Sequence, residues 1–180
     1  MILTQRNHGA HFPSARLVLG LLLTLLLTGC GFHLRGQLVL PENLQQVQVN
    51  CTVANSRQLC LNIRNLLQDA DIQIVPSNVT DTTVAKLHID EITDQRRAVS
   101  IGSDAGVAEY EVTRSVRFRF NDEQGNPVIA DGKTTQFQTY RFDELSILGK
   151  DKEEEQIREE LDQLLAQDIL GRVAASAANY

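Results

Sequence analysis

The feature that most constrains the fold is a long run, residues 107–120, in which apolar and polar side chains alternate. Successive side chains of a β-strand point to opposite faces, so such alternation predicts one strand with two unlike faces. The apolar set is Ala108, Tyr110, Val112, Val116, Phe118 and Phe120. The polar set is Glu109, Glu111, Thr113, Ser115, Arg117 and Arg119. One buried face and one solvated face are typical of an antiparallel sheet.

The neighbouring segments predict two further strands of the same sheet. A turn at 121–127 indicates a hairpin whose return strand covers about 128–142. Upstream, alternation over 84–93 predicts another strand, in which Ile92 breaks the period. A bulge or strand end near Asp90-Glu91 explains this break, because a bulge inserts one extra residue into a strand.

The remaining periodic segments predict one more strand and two helices. Residues 46–51 predict a short strand, and residues 72–75 form a short extended piece that Pro76 ends. The first helix has its apolar stripe at Leu59, Ile63, Leu66 and Leu67. The second begins at Asp151, with acidic residues in its first turn, where the helix dipole favours negative charge. The order β-α-β-β-β-α, with both helices covering the apolar face of the sheet, predicts an α+β two-layer sandwich.

The first thirty residues indicate export to the cell envelope. Residues 17–27 are an apolar run that is too short for a mature membrane span of about 20 residues but fits a signal-peptide core of about 7–15 residues. The run ends in Leu27-Thr28-Gly29-Cys30, which resembles the lipobox of bacterial lipoproteins. The resemblance implies that residues 1–29 are cleaved and that residues 30–180 form a single periplasmic domain.

By the same resemblance, Cys30 carries diacylglycerol on its sulfur and an acyl chain on its new amine. Gly31-Phe32 follow, rather than the Asp that retains lipoproteins at the inner membrane. We therefore expect a lipid-anchored protein on the periplasmic side of the outer membrane. The alternative is an ordinary secreted protein in which Cys30 is a plain thiol.

Two other cysteines, Cys51 and Cys60, remain in the chain after lipidation. An oxidising periplasm allows them to form a disulfide, which would stabilise the fold by about 3 kcal/mol through the entropy of the unfolded chain. Two buried thiols are an equally good interpretation, because free cysteine is among the most buried residue types.

Little in the chain predicts catalysis. The mature segment has only His33 and His88 as histidines, and it contains no HExxH, CxxC, GxSxG or P-loop pattern. A formal net charge of −6 argues against an electrostatic nucleic-acid binder. We expect no enzyme activity, no catalytic residue, no metal site, no cofactor and no nucleic-acid partner.

Basic side chains nevertheless concentrate in or beside the three long strands. They are Arg96, Arg97, Arg114, Arg117, Arg119, Lys133 and Arg141. Arg117 and Arg119 belong to the polar set and are expected on the uncovered face of the sheet. They are explained equally well by cross-strand pairing with Glu109 or Glu111 and by docking of an anionic group, which arginine grips through two hydrogen bonds.

The start of the mature segment, Cys30-Gly31-Phe32-His33-Leu34-Arg35-Gly36, resembles that of LptE, the family of lipopolysaccharide-assembly lipoproteins. Ala108-Glu109-Tyr110 in the long strand and Leu148-Gly149-Lys150 before the last helix are also similar to the family, and the likeness spans about 30–175. It implies two helices on a four-stranded, mostly antiparallel sheet. It also implies a non-enzymatic role as plug and assembly partner of the LptD β-barrel, which inserts lipopolysaccharide into the outer leaflet.

The resemblance further implies that basic residues bind lipopolysaccharide. One family position, just before the last helix, matches Lys150. Another lies in a loop that corresponds here to Ser100–Gly106, which holds no basic residue, so that Arg96 and Arg97 are the nearest candidates. The expected lipopolysaccharide-binding residues are Lys150, Arg96, Arg97, Arg117 and Arg119.

A different class of function also fits the sequence. The chain could be a periplasm-facing lipoprotein scaffold that binds a protein or peptide at a sheet edge, without a lipid ligand. The partner that co-purifies distinguishes the two interpretations.

Overall fold

The computed structural model describes residues 44–80, 83–102, 106–141 and 150–178, except for the side chains of residues 150 and 151. In chain order the elements are β1 (Gln46–Cys51), α1 (Arg57–Asp69), β2 (Gln73–Val75), β3 (Ala85–Ile101), β4 (Val107–Asn121), β5 (Pro127–Arg141) and α2 (Lys150–Ala177). The strands form one sheet in the order β2-β1-β3-β4-β5. The predicted signal peptide 1–29 and Cys30 lie outside the described residues.

The α+β class with two helices on a sheet is confirmed, but the sheet has five strands and is mixed. The extended piece after α1 is a strand, β2, which pairs with β1 in parallel from Gln46 opposite Gln73. β1 also pairs with β3 in parallel, whereas β3, β4 and β5 form an antiparallel meander. The helix α1 carries the chain back to the end of the sheet where β1 begins. β2 therefore runs in the same direction as β1, and the two strands pair in parallel.

β3 is longer than its alternation predicts, running to Ile101 instead of ending near Thr93. The additional residues pair with β4 along their length, although most of them are exposed. Since neither face of this stretch is deeply buried, it has no apolar alternation to reveal a strand. The predicted bulge near Asp90-Glu91 is confirmed by a register shift between Ile89 and Glu91.

The buried side chains form a large and a small apolar cluster on the helix side of the sheet. The large cluster packs both helices against β1, β3 and β4, with Phe118 and Phe120 among its largest fully buried members. The small cluster contains Val112, Tyr140, Ile157 and Leu161. No helix in the described part of the chain is long and apolar enough to cross a membrane.

Candidate functional site

The adjacent residues Arg96 and Arg97 of β3 point to opposite sides of the sheet. On the helix side, Arg96 Nη1 donates to Glu154 Oε2 of α2 at 3.1 Å. Its guanidinium also lies 4.8 Å from the centroid of the Tyr110 ring, a cation–π contact. Arg97 lies on the side of β3–β5 opposite the helices, which we call the open face, and its Nε donates to Glu111 Oε1 at 2.8 Å.

Arg117 and Arg119 form a second basic group on the open face. Arg119 donates to both carboxylate oxygens of Asp90 at 2.7 Å. Arg117 lies between Glu91, at 3.4 Å, and Asp131, at 3.3 Å. Arg97 of β3 lies opposite Glu111 of β4 in the strand register. Glu111 is six residues from Arg117, which corresponds to about 20 Å along β4. The open-face arginines therefore belong to two separate regions rather than to one site.

Each open-face arginine of the predicted set has a carboxylate partner, as the cross-strand interpretation requires. Hydrogen bonding from Arg119 lowers the pKa of Asp90, and hydrogen bonding from Arg97 lowers the pKa of Glu111. These carboxylates therefore stay ionised at neutral pH and offset the positive charge. An incoming anion has to compete with them, but exposed ion pairs contribute only about 0–1 kcal/mol, so the competition is not prohibitive.

Lys150 is the first residue of α2, and its side chain lies outside the described residues. One turn later, Glu154 pairs with both Arg96 and Arg158. Arg96 therefore lies at the end of α2 that begins with Lys150. A cation at a helix N-terminus is disfavoured by the helix dipole, so the stability of α2 does not explain a lysine at this position.

The buried position of Arg114 was not predicted from the sequence, because this residue belongs to neither the apolar set nor the polar set of the strand. It occupies the apolar side of β4 and is 3% exposed. Its Nε donates to Asp162 of α2, its Nη1 to both oxygens of Asp94, and its Nη2 to the Asn55 carbonyl, each at 2.7 Å. The sequence indicates this position only indirectly: Arg114 stands where an apolar residue is expected, between Val112 and Val116.

The buried network of Arg114, Asp94 and Asp162 joins α2 to β4 and β3. Asp162 is 2% exposed, and this burial raises its pKa to about 6 although the positive charge of Arg114 acts in the opposite direction. Asn55 has a left-handed φ of 60°, a conformation that asparagine adopts more readily than most residues. A cavity of about 430 Å³ opens onto the network between the two helices.

The loop between β1 and α1 is closed by a disulfide. Cys51, the last residue of β1, is bonded to Cys60 of α1, with their Cα atoms 6.5 Å apart. A second concave region, of about 410 Å³, is lined by both cysteines together with Arg57 and Arg64.

Comparison with known proteins identifies relatives over most of the chain. The family model described as "LptE: Lipopolysaccharide-assembly" matches residues 44–173. The "LPS-assembly lipoprotein LptE" of Pectobacterium atrosepticum is 30% identical over 159 residues, which are 87% of this chain and 83% of the relative. The protein of the same name from Photorhabdus laumondii is 28% identical over 154 residues, which are 86% of this chain and 81% of the relative.

Solved structures of several lipoproteins share the fold. Rare lipoprotein B from Shewanella oneidensis superimposes with a TM-score of 0.64 at 22% identity, covering 74% of this chain and 97% of that chain. Lipoprotein B from Nitrosomonas europaea has a TM-score of 0.64 at 21% identity, covering 82% and 93%. A minor lipoprotein from Acinetobacter baumannii has a TM-score of 0.61 at 20% identity, covering 76% and 94%.

Proposed function

The chain belongs to the LptE family of lipopolysaccharide-assembly lipoproteins, and we propose that it acts in lipopolysaccharide assembly at the outer membrane without catalysing a reaction. The family match over residues 44–173, which includes all five strands, α1 and all but the last four residues of α2, is the observation that carries this proposal. In the proposal, residues 1–29 are removed and the domain 30–180 is held by acyl chains on Cys30. Two or more chains are needed, because a single one gives only marginal membrane binding.

The proposed partner is the LptD β-barrel, in which this chain acts as plug and assembly factor. The lumen of a large outer-membrane barrel is lined by polar side chains. The open face is polar as well, and Arg97, Arg117 and Arg119 are matched by carboxylates, so these side chains can approach such a wall without leaving unpaired arginine charges. Arginines that are paired with carboxylates favour docking of this face to a protein surface over binding of an anion through a broad basic patch.

The proposed lipopolysaccharide contact is at the end of the molecule where Lys150 begins α2. Arg96 lies at this end on the helix side, and Arg97 follows it on the open face. Phosphate, like a carboxylate, accepts two charge-assisted hydrogen bonds from a guanidinium, and exposed ion pairs contribute little, so a phosphate can replace a carboxylate partner at small cost. Arg117 and Arg119, about 20 Å away along β4, form a second and separate contact.

Charge reversal tests this contact directly. We expect the combination of Lys150→Asp and Arg97→Asp to weaken binding to immobilised lipopolysaccharide while the circular dichroism spectrum stays unchanged. Added salt is expected to weaken wild-type binding as well, because the attraction is ionic.

The matched control compares the single variants Arg97→Asp and Arg172→Asp, which change the net charge equally. Arg172 donates to the Lys133 carbonyl near the other end of α2, so its side chain lies away from the proposed contact. Unchanged binding in the Lys150/Arg97 variant would remove the lipid site, and an equal loss in the two single variants would reduce the effect to net charge.

A further inference from the structure

The two arginines that line the concave region beside the disulfide differ from the other arginines in the described part of the chain. Ion pairs engage Arg96, Arg97, Arg114, Arg117, Arg119, Arg141, Arg158 and Arg172. Among those same residues, Arg57 and Arg64 make no ion pair; Arg64 only donates to the Val49 carbonyl at 3.4 Å. In an acidic chain that pairs its arginines so consistently, both exceptions share one concave surface.

The concave region beside the disulfide has no acidic residue in its lining. Apart from Arg57 and Arg64, the lining of this 410 Å³ region consists of the cysteines and uncharged residues. Arg57 also lines the neighbouring 430 Å³ cavity, which holds the carboxylates of Asp94, Glu155, Glu159 and Asp162, but it forms no ion pair with any of them. On the side of the disulfide, an anion therefore meets two arginines and no carboxylate.

The helix geometry and the disulfide place these arginines on one side of α1. Arg57, Cys60 and Arg64 follow the i, i+3, i+7 spacing that places residues along one side of a helix. Cys60 is 1% exposed and is bonded to Cys51, which fixes this side of α1 against the end of β1. The hydrogen bond from Arg64 to Val49 restrains the second guanidinium toward the same strand.

From this arrangement we propose that Arg57 and Arg64 form a binding site for a phosphate group, distinct from the contact around Lys150. Two guanidinium groups that make no ion pair present several N–H donors to a tetrahedral anion. The phosphate belongs either to a lipid headgroup or to a free anion. The site does not depend on the proposed partnership with a barrel.

The test uses the folded protein with its disulfide intact and two probes, inorganic phosphate and vesicles that carry a lipid with a phosphate monoester headgroup. We expect the Arg57→Gln/Arg64→Gln variant to bind at least one probe about tenfold more weakly than wild type, as expected for the loss of charge-assisted hydrogen bonds. Reduced binding to vesicles alone identifies a lipid ligand, and reduced binding to inorganic phosphate identifies a free anion; either result supports the site.

The control variant Arg141→Gln/Arg172→Gln removes the same charge from two arginines that are already paired with carboxylates. It is expected to bind both probes like wild type. The proposal is overturned if wild type binds neither probe, if the Arg57→Gln/Arg64→Gln variant binds both probes like wild type, or if both double variants lose binding equally. None of these outcomes changes the Lys150 experiment or the family assignment, so failure of this site is distinguishable from failure of the proposed function.

Discussion

Arg114 connects four parts of the molecule from a position that is almost completely shielded from water. It joins β4 to β3 through Asp94, to α2 through Asp162, and to the loop before α1 through the Asn55 carbonyl. Buried charges of this kind are expensive to desolvate, so we expect the network to add less to net stability than its number of hydrogen bonds suggests. This cost is testable, because removing one partner of the ion pair should lower the free energy of unfolding more than removing both partners.

We predict that Arg114→Met lowers the free energy of unfolding by about 3–5 kcal/mol, since Asp162 would remain buried without its cation. The double variant Arg114→Met/Asp162→Leu is expected to recover a substantial part of this loss, because Asp94 is partly exposed and can be solvated. Urea unfolding of the wild type, both single variants and the double variant gives the coupling energy. Additive losses would show that the two side chains do not act as a pair.

The raised pKa of Asp162 predicts a pH dependence of stability with a definite sign. In the folded protein the carboxyl keeps its proton up to a pKa of about 6, whereas in the unfolded chain it releases the proton near its ordinary value of 3.8. Between these values the folded state binds more protons, so the contribution of Asp162 to stability decreases as the pH rises through this window.

The measurement is the difference in unfolding free energy between wild type and Asp162→Asn from pH 4 to pH 7. Asparagine still accepts the hydrogen bond from Arg114 but does not titrate. We expect the stability of the variant relative to wild type to rise by about 1–3 kcal/mol over this range. Comparing the two proteins cancels the opposite effect of Asp90 and Glu111, whose pKa values are lowered. A constant difference would contradict the assignment.

At the scale of elements, β5 packs closely against β4 at Gly132, which lies over the ring of Phe118. A Cβ added at Gly132 would lie 2.7 to 2.9 Å from three ring atoms of Phe118, which is fully buried. By contrast, nothing lies within 4 Å of a Cβ added at Gly171 in α2. The same glycine-to-alanine change should therefore have opposite effects at the two positions.

We predict that Gly132→Ala destabilises the protein by about 1–3 kcal/mol through overpacking against Phe118. Gly171→Ala is expected to stabilise it by up to about 1 kcal/mol, because alanine is the better helix former. Chemical denaturation of the two variants beside wild type measures both effects. Stabilisation by Gly132→Ala would mean that the Phe118 ring moves aside without cost.

Elements with one buried and one solvated face were predictable from the sequence. Alternation located β4 to within a residue, and the break at Ile92 located the bulge in β3. The prediction missed β2 as a strand, because three residues carry too little periodicity, and it missed the far half of β3, where neither face is deeply buried. Both errors arose where tertiary pairing, not a hydrophobic pattern, defines the strand.

The candidate site was predictable as a set of residues but not as an arrangement. Composition located the arginines, but their partners depend on the strand register, which brings Arg119 to Asp90 and Arg97 to Glu111. Arg114 was missed for a related reason. A charged residue on an apolar face appears in the sequence only as an interruption, and its partner Asp162 is 48 residues away on α2.

At the scale of the whole molecule, the two sides of the sheet have different roles. The helix side holds the apolar clusters, the buried network and the end of α2 where Arg96 meets Glu154. The open face is polar, with its predicted arginines matched by carboxylates, and Phe137 is an exposed aromatic residue on the edge strand β5. This division fits a protein that packs its helices internally and presents a polar sheet to a partner.

We propose that this protein works as the plug of an outer-membrane barrel in lipopolysaccharide assembly. Purification of the tagged protein from detergent-solubilised membranes, followed by identification and quantification of what remains bound, tests this role directly. We expect one large β-barrel protein in an amount equal to that of the tagged chain. Recovery of a small soluble protein without any barrel would contradict it and would favour the sheet-edge scaffold.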